Sequence, residues 1–101
     1  MTDHPTDGLE RRQELYEEAE AAWGREAQLN KAAEEFGEAA AALNRALNGQ
    51  ESRENLLEEL ADARLMLEQM EWALFDDDEV GAALDEAVAN LEARLEVDGD
   101  G

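Results

Sequence analysis

Cysteine is absent from the 101 residues, which excludes disulfides and thiolate metal sites and leaves oxygen-rich sites for hard cations. Proline and histidine occur once each, as Pro5 and His4, inside a polar N-terminal stretch without apolar periodicity. A general base needs a fixed position, so His4 is not expected to be catalytic. Valine, isoleucine and threonine are scarce and no segment alternates with period two, so strands are not expected. No apolar run reaches membrane-spanning length, and the first residues lack the basic and apolar blocks of a signal peptide. A cytoplasmic protein without a membrane partner is the expectation.

Positive charge is the next scarcity. Twenty-eight acidic residues face eight basic ones, for a formal net charge of −20, and Lys31 is the single lysine. Such a surface repels the phosphate backbone of duplex nucleic acid. Acid excess with little lysine is also the composition of proteins that work in concentrated salt, where the Debye length of about 3 Å at 1 M relieves self-repulsion. A halophilic source is one reading of the charge and an ordinary acidic, solvated surface the other.

What remains is helical periodicity. Residues 1–8 and 98–101 read as a mobile tail and a frayed end, and residues 9–97 as a single domain. A short amphipathic helix is predicted over residues 9–23, ending or kinking at Gly24. A second is expected over 25–48, with Leu29, Ala33, Phe36, Ala40, Leu43 and Leu47 at alternating spacings of four and three, stopped by Asn48-Gly49. A third begins near Ser52, a plausible N-cap, and repeats the spacing at Leu56, Leu60, Ala63, Leu67, Met70 and Leu74. Asp76-Asp77-Asp78-Glu79 favours the start of a fourth, whose stripe is Val80, Leu84, Ala87, Leu91 and Leu95. Short connections make an antiparallel all-α four-helix bundle the natural solution. The alanine-rich second helix buries little area per residue, so a homodimer or a dimer of dimers is expected to cover leftover apolar surface.

Carboxylates three residues apart are cheap in this composition, arising by chance at roughly one position pair in thirteen. Glu14/Glu17, Glu51/Glu54 and Glu68/Glu71 are read as such coincidences. Glu59 and Asp62 differ because they flank the apolar stripe of the third helix, where they should be half buried. On the second helix Glu35 borders a strip of Ala32, Ala39, Ala42 and Ala46, with Glu38 and Glu34 further round. Gly37, in mid-helix at a cost of about 1 kcal/mol relative to alanine, suggests close approach of a helix or ligand. Carboxylates at i and i+3 point the same way, so two antiparallel helices can direct four into one cleft, where Mg²⁺ would relieve their repulsion. Composition alone favours a solvated acidic face.

The wording of the sequence reverses that preference. Lys31-Ala-Ala-Glu34-Glu35-Phe-Gly37-Glu38, then Glu58-Glu59-Leu-Ala-Asp62-Ala-Arg-Leu-Met66-Leu-Glu-Gln69-Met70, resembles the MazG family of all-α nucleoside triphosphate pyrophosphohydrolases. That family carries a Glu-x-x-Glu pair, an intervening stretch and a Glu-x-x-Asp pair; the likeness covers about residues 23–74. It implies that Glu35, Glu38, Glu59 and Asp62 are catalytic metal ligands for Mg²⁺, with Mn²⁺ as a substitute. It also implies an assisting role for Glu34, a phosphate contact for Lys31, and hydrolysis of a nucleoside triphosphate substrate to monophosphate and pyrophosphate. Metal and carboxylates suffice for that chemistry without a Ser, Cys or His nucleophile.

Arg64 and Arg94 are candidate substrate contacts if the bundle or a second subunit brings them to the cleft. Gln28 is a candidate base contact. Trp23 fits the core better than a base stack, and Trp72 faces away from the main stripe, toward a subunit contact. The competing reading is a non-catalytic acidic scaffold or partner-binding bundle. Asp76-Asp77-Asp78 lacks the twelve-residue ligand pattern of an EF-hand, which argues against a calcium sensor.

Overall fold

A computed structural model describes the backbone of residues 5–100 and the side chains of residues 8–98; His4 and the rest of the first four residues lie outside it. The described chain is all-α, with four helices and no strand: α1 (Pro5–Trp23), α2 (Arg25–Leu47), α3 (Arg53–Leu74) and α4 (Asp77–Asp100). None of these helices is long and apolar enough to cross a membrane. The chain divides into two compact units, Met1–Met70 and Glu71–Gly101.

Helix boundaries follow local chemistry. α1 starts at Pro5, ahead of the expected Leu9, because proline is tolerated in a first turn where its missing N–H has no partner to lose. Gly24 separates α1 from α2 at φ 87°, a left-handed conformation that glycine adopts without the Cβ penalty, and its N–H closes on the Glu20 carbonyl at 2.8 Å. α2 ends in a Schellman turn: Gly49 has φ 70°, its N–H reaches Ala46 O at 3.1 Å, and Gln50 N–H reaches Arg45 O at 2.8 Å. Arg45 and Glu51 tie the same turn by an ion pair at 2.7 Å.

Ser52 caps α3 as expected, its Oγ accepting the Asn55 N–H at 3.1 Å. In the second unit, Asp76 Oδ1 accepts from Glu79 N–H at 2.8 Å, and Glu79 Oε1 accepts from Asp76 N–H at 3.1 Å. This reciprocal pair is a capping box, so these two acids of the aspartate run start a helix. α4 then continues through Asp100, beyond the expected end at residue 97.

The first unit buries a different face from the one the spacing suggests. α1 packs against α2, and the buried side chains of α2 are Gln28, Ala32, Glu35, Ala39 and Ala42. Leu29, Phe36 and Leu43 stay partly exposed, and Leu47 is open at 86%. At about 100° per residue these large side chains lie a quarter-turn round from Glu35; the alanines permit the closer approach. Tyr16, Met66 and Met70 complete the buried apolar set.

A clamp fastens α1 to α3. Arg12 donates to Glu68 through Nε at 2.7 Å and Nη2 at 3.2 Å, and the Tyr16 hydroxyl donates to Glu68 Oε1 at 2.6 Å. Glu68, which composition gave no role, is therefore structural. The Arg12 guanidinium and the Tyr16 hydroxyl hold its carboxyl below the usual carboxylate range, while burial and that carboxylate push the tyrosine hydroxyl well up.

Gly37 corrects another expectation. A Cβ built there meets nothing within 4 Å, because the position lies across the helix from the buried face. Neither a neighbouring helix nor any described side chain requires glycine at this point.

Candidate metal centre

Glu35 owes its position to the periodicity of α2: it falls between Ala32 and Ala39 on the buried face and is only 9% exposed. Glu38, one turn along, is exposed, and Glu59 of α3 is half-buried. One oxygen from each of Glu35, Glu38 and Glu59 can be chosen so that all lie within 4.8 Å of one another. Glu35 Oε1 meets Lys31 Nζ at 3.1 Å. Its other oxygen, Oε2, and Oε2 of Glu59 are buried and have no hydrogen-bond partner.

That pair of orphaned oxygens is the anomaly of the site. Buried carboxylate oxygens normally find donors, and one left bare costs about 1–3 kcal/mol or more. Burial, then the negative charges of Glu38, Glu35, Asp62 and Glu58, hold the Glu59 carboxyl above its ordinary range. Lys31 is shifted the other way in sense: its hydrogen bond to Glu35 and the charge of Glu34 hold the ammonium above the usual lysine range. Three carboxylates and one ammonium leave a formal local charge of −2. Oxygen donors of this kind suit Mg²⁺ or Mn²⁺, so the residues fit a divalent ion.

The remaining candidates separate. Asp62 lies next to Glu59 in charge but outside the three-oxygen group, and it is exposed where half-burial was expected. α3 turns it away from the face that Met66 and Met70 bury. Glu34 is exposed beside Lys31. Arg64 lines a separate depression with Arg12, Ala61 and Glu68, and its charge acts on Glu68. Arg94 belongs to the second unit, beside Val97 and Asp98.

Next to the acidic group is an apolar groove of about 810 Å³ whose lining includes Tyr16, Trp23, Gln28, Lys31, Met66 and Gln69. Lys31 belongs to both features. Trp23, expected in the core, is 68% exposed on the groove wall, because α1 ends there and Gly24 turns the chain away. Gln28 lies at the groove with its Oε1 accepting from Gln69 Nε2 at 2.6 Å, both side chains buried. Sequence reasoning missed Gln69; the available signal was an amide between Met66 and Met70 on an otherwise apolar face.

No family model, no curated protein and no solved structure matches the chain.

Proposed function

We propose that this chain is a Mg²⁺-dependent nucleoside triphosphate pyrophosphohydrolase of the MazG kind, with its helices antiparallel. The observation that carries the reading is the pair of bare, buried oxygens, Glu35 Oε2 and Glu59 Oε2, inside a three-carboxylate group and beside a ligand-sized groove. The Glu-x-x-Glu and Glu-x-x-Asp wording supports it from the sequence side.

In this reading Glu35, Glu38 and Glu59 hold the ion, and Asp62, one turn from Glu59, is the fourth carboxylate that side-chain rotation brings in. When bound, the metal neutralises triphosphate charge and polarises the α-phosphorus. Lys31 exchanges its partner Glu35 for a phosphate oxygen, since both lie within reach of its flexible stem. Glu34 holds the attacking water and takes its proton as the new oxygen–phosphorus bond forms. The bond from the α-phosphorus to the bridging oxygen breaks, and pyrophosphate leaves. The groove receives the nucleoside, with Trp23 offering a stacking face and Gln28 and Gln69 offering amide donors and acceptors.

The test is pyrophosphate release from a panel of natural and modified nucleoside triphosphates, with and without Mg²⁺, at low and molar salt. Magnesium-dependent release, lost in Glu59→Gln, is expected. Folded protein that releases none under any condition refutes the reading and favours an acidic scaffold.

A further inference from the structure

We infer that the apolar flank shared by α2 and α3 is an interface with a second copy of this chain. The inference stands independently of the catalytic reading. Leu29 (39% exposed), Phe36 (38%), Leu43 (47%) and Leu47 (86%) on α2 are matched by Leu60 (39%) and Leu67 (50%) on α3. Three pairings set the two helices side by side: Gln28 with Gln69, Glu35 and Glu38 with Glu59, and Arg45 with Glu51. Early positions of α2 meet late positions of α3, so the chain directions oppose. With that geometry, the large residues of α2, a quarter-turn from Glu35, and those of α3, a quarter-turn from Glu59, emerge on one side. The groove residues Gln28, Lys31, Leu65 and Gln69 emerge on the other, where α1 sits. The flank is therefore left bare by the elements of its own unit.

Area and charge together select the occupant. Taking about 200 Å² for a large apolar residue in the open, the six exposures leave roughly 600 Å² of apolar surface, at the top of the range for patches on monomers. One side of a standard stable interface buries about 800 Å², so these six residues supply most of it. Among the described residues, moreover, no leucine or phenylalanine is buried, so the unit lacks a core that a second face would provide. Charge excludes the alternatives. Two chains of net charge −20 repel wherever carboxylates face each other, yet residues 29, 33, 36, 40, 43 and 47 and residues 56, 60, 63, 67 and 70 include no charged side chain. A basic partner would seek the acidic faces. An uncharged apolar flank is complementary to itself, which a two-fold interface requires.

Sedimentation equilibrium at low and molar salt tests this. Wild type is expected at twice the 11.2 kDa chain mass, with tighter association in salt. Phe36→Glu combined with Leu43→Glu is expected to be monomeric, and Leu91→Glu on the exposed stripe of α4 to remain dimeric. If circular dichroism finds the double variant unfolded, Phe36→Ala decides: a dissociation constant raised at least tenfold supports the interface, and an unchanged one overturns it. Monomeric wild type at every concentration and salt overturns it too, as does dissociation by Leu91→Glu while the double variant stays paired.

Discussion

Replacing Glu35 by glutamine removes one charge and one orphaned oxygen from the acidic group while keeping its shape, and the two forms should respond oppositely to Mg²⁺. In the wild-type chain three carboxylate oxygens lie within 4.8 Å of one another and a single ammonium, Lys31 Nζ, touches the group. The formal balance of −3 and +1 leaves −2, the charge that one divalent ion cancels. Binding to the folded state alone stabilises it by RT ln(1 + [L]/Kd), about 1.4 kcal/mol at ten times Kd. For a chain of this size that raises Tm by roughly 5–11 °C. Without metal, Glu35→Gln should melt at or above the wild-type temperature, because repulsion and an unpaired acceptor are both relieved. With Mg²⁺ its gain should fall to that of a control such as Glu14→Gln. Any salt stabilises a chain of net charge −20 by screening, so the melts must be compared at matched ionic strength. An equal Mg²⁺ shift in wild type and Glu35→Gln, or none in either, would refute the metal-centre argument.

Two further predictions rest on the fold alone. Gly37→Ala should stabilise the chain by about 0.5–1 kcal/mol, since the added Cβ meets nothing within 4 Å; a lowered melting temperature by circular dichroism would mean that something approaches this position after all. The Arg12–Tyr16–Glu68 clamp should be pH dependent. Its depressed carboxyl contributes stability that is fully present above the ordinary glutamate range near about 4.3 and is lost as pH falls through the lower folded value. Wild type should therefore exceed Glu68→Gln in urea midpoint at pH 7, with the gap closing in acid; a gap constant across the acid range would show that the clamp carries no charge-dependent stability.

Where helices begin and end was written in single residues. Ser52, Asp76, Gly24 and the Asn48-Gly49 pair act on backbone groups a few bonds away, so local chemistry suffices to place them. All-α architecture followed from a period near 3.6 and the want of β-branched residues. Glu35 and Glu59 were also legible, because each borders a small or apolar strip at a spacing that a helix turns into neighbourhood. The packing face of α2 was not legible. Periodicity locates an apolar stripe, but the alanine face and the leucine face are a quarter-turn apart, and which one goes inward depends on how closely α1 and α3 approach. The same limit hid the exposure of Trp23, the exposure of Asp62 and the open space at Gly37. Arg12, Tyr16 and Glu68 are more than fifty residues apart at their extremes, and Gln28 and Gln69 forty-one. Composition and spacing by themselves determined a set of capped, acidic helices with carboxylates in register. Only tertiary structure decided which of those carboxylates share one buried centre, because a bare oxygen is defined by what the rest of the chain fails to place beside it.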